Sequence, residues 1–176
     1  ADYVYLGTDD PKISFSFNGG MEWNGFDVSV VFQGVGKRTV WRDGDNSSNI
    51  NWRIPMRQVY MNTTNQSVGN VWSPDNPNAH YPTYTSVSQI NNYNYRCSSW
   101  SVEDGSYLRL KNIEIGYTFP SKWLKSSAIN GLRVYVNAQN LFTISDVPQI
   151  DPENTQQQGW TYPQMKAFNV GLTLQF

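Results

Sequence analysis

Five stretches of this chain alternate between large apolar and small or polar residues, and nothing else in the sequence limits the possible folds as strongly. In KISFSFNGGMEW, Ile13, Phe15, Phe17, Gly19, Met21 and Trp23 fall on one side, and Ser14, Ser16, Asn18, Gly20 and Glu22 on the other. FDVSVVFQGVG sets Phe26, Val28, Val30 and Phe32 against Asp27, Ser29, Val31 and Gln33. SYLRLKNIEIGYTF sets Ile113, Ile115, Tyr117 and Phe119 against Asn112, Glu114, Gly116 and Thr118. LRVYVNAQNLF sets Leu132, Val134, Val136 and Ala138 against Arg133, Tyr135, Asn137 and Gln139. The last stretch, FNVGLTLQF, sets Phe168, Val170, Leu172, Leu174 and Phe176 against Asn169, Gly171, Thr173 and Gln175. Successive side chains leave a strand on opposite faces, so a period of two predicts strands. The chain reads as all-β, with strands at approximately 12–23, 26–36, 106–119, 132–142 and 165–176.

The third stretch carries an irregularity. Leu108 and Leu110 have the opposite parity to Ile113 through Phe119. Either a bulge near Lys111–Asn112 resets the face, or Arg109 and Lys111 share the apolar side.

The links are as informative as the strands. Asn24-Gly25 joins the first two, the strongest two-residue hairpin signal, because a type I′ turn needs positive φ at both positions. PSKWLKSSAING joins the third and fourth compactly. The other links are long: roughly 65 residues over 37–104 and roughly 20 over 143–162, against about 12–15 for the longest ordinary structureless loops. In an antiparallel up-and-down sheet, alternate links lie at opposite ends, so one end is trimmed and the other elaborated. Outer-membrane barrels have short periplasmic turns and long extracellular loops. On that plan the C-terminus and Asn24-Gly25 are periplasmic, and loops 37–104 and 143–162 are extracellular.

The apolar faces need a cover. Exposing the five large residues of the last stretch to water would cost on the order of 10 kcal/mol. Lipid provides one cover; a second sheet in a soluble β-sandwich provides another, and periodicity alone fits both. Three features favour lipid. The stretches match the 9–11 residues of a tilted membrane-crossing strand better than the 5–6 usual in globular sheets. Trp23, Phe26, Tyr117, Phe119, Phe168 and Phe176 sit at stripe ends, as in an interfacial girdle. The chain also closes on an aromatic after alternating apolar residues, so Phe168, Val170, Leu172, Leu174 and Phe176 read as a barrel-assembly signal. Five strands cannot close a membrane barrel, whose smallest form has eight. The start at Ala1, without Met or an apolar leader, fits a processed protein or a piece of a longer one.

Composition removes other classes. With 13 basic and 14 acidic residues there is no basic field for nucleic acid. One Cys (Cys97) and one His (His80) leave no internal disulfide, no expected metal site and no cofactor. Charged residues are 15%, below the roughly 25% of soluble domains. No apolar run approaches the ~20 residues of a membrane helix. Asp43, Asp45, Ser47 and Asn49 are spaced like a calcium loop but lack its Gly and terminal Glu. Asp146, Asp151 and Glu153 make a second acidic loop, and Asn46, Asn62 and Asn65 begin N-x-Ser/Thr triplets that an Asn-rich loop produces by chance. No catalytic constellation is present, so an enzyme is not expected.

Three blocks, VWSPDNPNAHYP (71–82), DGSYLRLKNIEIGYTFP (104–120) and LRVYVNAQNLFT (132–143), with FNGGMEWNGFDVSVVFQGVGKR (17–38), together resemble the C-terminal end of the SusC/RagA family. These are TonB-dependent outer-membrane transporters of Bacteroidota. The resemblance covers most of the chain in order and is thinnest over 39–70 and 156–162. It implies the last five strands of a barrel of about 22 strands with two large extracellular loops, the plug being absent from these residues. It also implies a SusD-like lipoprotein lid, TonB as a partner of the missing N-terminal part, and import of glycan oligosaccharides or peptides. Arg133, Tyr135, Asn137 and Gln139 would then face the lumen and plug. The 37–104 loop brings Trp41, Trp52, Trp72, Tyr81, Tyr84, Tyr93, Tyr95 and Trp100 together with many amides. Aromatic platforms with amide hydrogen-bonders suit a sugar ring or a protein lid; the alternative is that these rings pack the loop against itself. The competing reading of the whole chain is a secreted β-sandwich carbohydrate-binding module using the same loop.

Overall fold

The structure, a computed structural model, describes residues 3–41, 68–83, 87, 94, 98–124, 129–147, 151–153, 162 and 164–176. The chain divides into two units. One is a single antiparallel sheet of β1 (Ile13–Trp23), β2 (Phe26–Gly36), β5 (Tyr107–Thr118), β6 (Gly131–Ser145) and β7 (Ala167–Gln175), adjacent in that order. The other contains the short ladder of β3 (Thr39–Trp41) and β4 (Val102–Asp104).

The β1–β2 turn has φ of 49° at Asn24 and 87° at Gly25, the sign a type I′ hairpin demands at both positions. The Thr118 N–H donates to the Gly25 carbonyl at 2.7 Å, which ties β5 to this turn. At the trimmed end of the sheet, β1 joins β2 and β5 joins β6. The two long links leave from the other end, where Val35 pairs with Tyr107 and Tyr107 with Ser145.

Of the two alternatives for β5, the structure takes the bulge. Val31 pairs with Asn112 and Phe32 with Leu110, so Lys111 is the extra residue. On the other side Asn140 and Leu141 together oppose Lys111, and Asn140 takes a φ of 52°. The bulge returns Leu108 and Leu110 to the apolar face. β6 accordingly runs on to Ser145, past the 142 expected, because Phe142 and Ile144 pair with Leu110 and Leu108.

In this register every cross-strand row belongs to one face. Trp23, Phe26, Tyr117, Val134 and Leu172 make one apolar row, and Met21, Val28, Ile115, Val136 and Val170 the next. Among the described residues no second sheet covers them: Trp23 is 72%, Val170 78% and Leu172 61% exposed. This overturns the β-sandwich alternative, in which these residues would form a dry core. The strand ends are stepped. From β1 to β7 the ends that bear the long links shift by five register positions and the short-turn ends by three, in the same direction. At about 3.4 Å per residue and 4.8 Å per strand, that is a lean of about 30–40°, the tilt of strands in a barrel.

The second unit has a small core of its own. A loop from Gly69 to Tyr81 closes through Trp72 N–H to the Tyr81 carbonyl (2.8 Å) and Tyr81 N–H to the Asn70 carbonyl (3.0 Å). Tyr81 is buried at its centre, with Val71 and Trp100 packed on it. β3 and β4, three residues each, lie within a stretch read only as a link; strands this short leave no measurable period.

Candidate functional site: a polar wall and an aromatic loop

The polar face of the sheet is organised by Arg133. From β6 its side chain crosses β5 to reach β2. Nε donates to Asp27 Oδ1 at 3.0 Å, and Nη2 donates to Asp27 Oδ2 and, at 2.7 Å, to Glu114 Oε1. The guanidinium thus engages one carboxylate with its side-on fork and shares a donor with a second, the strong bidentate arrangement. The path is open because residue 116 is glycine: a Cβ there would lie 2.5 Å from both Arg133 Nη2 and Asp27 Oδ1. Tyr135 lies down in the same manner over Gly171, where a Cβ would come within 2.3 Å of its ring. The Arg133 guanidinium stands 4.9 Å from the Tyr135 ring centroid, within cation–π range.

Beyond this layer runs an amide ladder. Asn137 Nδ2 donates to Asn112 Oδ1 at 2.6 Å, and Asn169 Nδ2 donates to Asn137 Oδ1 at 3.3 Å, linking β5, β6 and β7. Gln139 pairs with Asn112 and Ala167 in the backbone register at the outer end of the ladder. All four residues expected on the polar face, Arg133, Tyr135, Asn137 and Gln139, therefore share it. Sequence reasoning missed their partners, Asp27 and Glu114, and the two glycine seats. The signal was present as glycines in phase with long polar side chains, but it becomes legible only once the strands are in register. Beside Arg133 a depression of about 670 Å³ opens at the hairpin end, lined by Glu22, Asp27, Thr118 and the turn itself.

Of the outer aromatic set, Trp52, Tyr84, Tyr93 and Tyr95 lie outside the described residues. Tyr81 and Trp100 are taken up by packing, their rings 6.2 Å apart edge to face, with His80 4.8 Å from Tyr81. Tyr81, expected to contact ligand or lid, is 6% exposed and serves the loop's own core. Trp41 is half-buried opposite Val102. Trp72 alone of the four described points outward, 44% exposed, on a loop whose backbone is internally bonded. Among the described residues no group of His, Cys, Asp and Glu is placed to hold a metal ion.

Phe168, Val170, Leu172 and Leu174 line the apolar face of β7, and Phe176 follows its end; all are exposed. Aromatic rings gather at the trimmed end. Phe26 and Tyr117 lie 4.6 Å apart, Tyr117 and Phe119 5.0 Å, Phe119 and Trp123 6.1 Å. Phe17, Phe32 and Phe142 make a second series toward the other end, at 6.5 and 6.3 Å.

No family model matches the chain. TonB-dependent receptor P3 of Formosa agariphila is 30% identical over 191 residues, spanning 100% of this chain and 17% of that protein. TonB-dependent receptor SusC of Bacteroides thetaiotaomicron is 38% identical over 82 residues, 45% of this chain and 8% of that protein. The chain belongs to the SusC/RagA-type TonB-dependent receptors. A solved structure of the RagAB peptide importer in its open-open state matches with a TM-score of 0.68 over 97% of this chain and 18% of that one, at 23% identity. At that identity the likeness is one of fold, and it makes the sheet of this SusC/RagA-type chain a stretch of barrel wall. The chain spans less than a fifth of the length of the relatives it matches.

Proposed function

We propose that this chain forms part of the wall of an outer-membrane TonB-dependent transporter that imports nutrients, oligosaccharides or peptides, with a SusD-like lipoprotein as lid. The observation that carries the reading is the uncovered apolar face of a single, leaning sheet. Its stripe runs from Ile13 to Trp23, about 34 Å along the strand, and tilt shortens this to about 25 Å, the height of a barrel's apolar band. The polar face turns to the lumen, where Arg133, Tyr135, Asn137 and Gln139 meet the plug supplied by the rest of the protein. The trimmed end is periplasmic, and the loops carrying Trp72 are extracellular. Phe168 through Phe176 serve assembly as well as forming wall.

Orientation is tested in the full-length receptor with Cys97 replaced by Ser. Asp75→Cys is expected to react with a membrane-impermeant maleimide on intact cells, and Lys122→Cys only after the outer membrane is disrupted. The opposite pattern rejects the orientation.

A further inference from the structure

Arg38, in the second unit between β2 and β3, is a buried cation, only 5% exposed. Backbone and side chain alike hold it in place. Its carbonyl accepts from the Gly105 N–H at 2.8 Å, and the next N–H, of Thr39, donates to the Thr8 carbonyl at 2.7 Å. Its stem lies over Gly105, where a Cβ would come within 3.4 Å of Arg38 Cγ and Nε and within 2.5 Å of Val40 Cγ2.

Arg38 Nε and Nη2 are closed to solvent, and neither meets a hydrogen-bond acceptor among the described residues. These two nitrogens form the side-on fork of the guanidinium. On Arg133 the same two nitrogens take the carboxylate of Asp27, again over a glycine. Glu103, diagonal to Arg38 across the β3–β4 ladder, is engaged with another group. A guanidinium shut away from water without an acceptor is strongly unfavourable, so buried charges are found paired. Two parallel N–H donors fit a carboxylate taken bidentately. A fork that solvent does not reach suits a group set in place as the receptor folds, rather than a passing ion. The chain spans less than a fifth of the receptors it matches, so most carboxylates of such a receptor lie outside it.

We propose that Arg38 is a socket for an Asp or Glu carboxylate from the part of the receptor outside residues 1–176, and that this buried pair fastens the β3–β4 ladder to the rest of the protein. The inference goes beyond the transport reading and does not depend on which face of the sheet meets lipid.

The test is hydrogen exchange at the amides of Thr39–Trp41 and Gly105 in the full-length receptor, purified without cargo. Arg38→Met would leave the incoming carboxylate buried and alone, and is expected to speed exchange roughly a hundredfold or more. Arg38→Lys, which keeps the charge but not the fork, should fall between wild type and the Met variant. Arg38→Gln is read in place of Arg38→Met if the latter does not fold. Unchanged or slower exchange without the guanidinium overturns the proposal, because removing a buried charge that has no partner relieves the site. Exchange in the Lys variant as fast as in the Met variant also overturns it, since the loss is then one of packing. Combining Arg38→Met with Glu103→Gln locates the partner: additive effects support a carboxylate outside this chain, and strong coupling puts it inside the chain and overturns the proposal. Wild-type exchange that slows on adding acetate or inorganic phosphate marks a free-anion site instead, and overturns it too.

Discussion

Gly171 shows what a single missing carbon does. A methyl group there would sit 2.3 Å from the tip of the Tyr135 ring, so the ring would have to swing off its seat. Gly171→Ala is expected to destabilise the folded barrel by about 1–3 kcal/mol, with much of the loss recovered in the Gly171→Ala/Tyr135→Ala double variant. Urea titration of the full-length receptor in lipid measures both, and additivity of the two changes would show that the ring does not depend on the seat. Arg133 ties three strands through Asp27 and Glu114. Arg133→Gln leaves two carboxylates facing one another and is expected to lower the melting temperature; adding Glu114→Gln should restore part of it. In the long loop two aromatic residues, Trp72 and Tyr81, separate by role. Trp72→Ala is expected to reduce uptake severalfold at unchanged surface level. Tyr81→Ala, which removes the loop's buried centre, should cost about 3 kcal/mol locally and be read first as increased proteolysis of the loop.

The strands were legible because a sheet with one apolar and one polar face writes its period directly into the sequence. Phe168 to Phe176 and Ile13 to Trp23 needed no structural help. Where legibility failed, two elements had to be known at once. Leu108 and Leu110 contradict the parity of β5 until β2 and β6 show Lys111 to be the extra residue. The same holds for Asp27 and Arg133, which are 106 residues apart and meet only through a strand lying between them. Tyr81 has the composition of a contact residue and the position of a core one, a distinction that burial makes and residue type does not. The two faces of the sheet make a direct prediction. Val170→Arg, near the middle of the apolar stripe, is expected to cost about 2–4 kcal/mol and to lower the amount of folded receptor in the outer membrane. Ser29→Arg, on the polar face opposite Glu114, should be tolerated. Equal damage from both, measured by heat-dependent gel mobility, would contradict the assignment of faces.

At the scale of the molecule, the described residues leave the sheet two free edges, β1 and β7, and one naked apolar face. Unpaired edge groups invite other strands, and lipid cannot satisfy them. The 176-residue chain expressed alone is therefore expected to sediment without detergent; a clear, monomeric solution with cooperative melting would contradict this. If the polar face turns to the lumen as proposed, its folded-down side chains shape what the plug would meet. Arg133 and Tyr135, near the short-turn end of the sheet, both lie along the backbone in slots that glycine leaves vacant. On the proposed lumenal reading, a body seated against this stretch would meet no hook formed by these two side chains and could turn or withdraw past them.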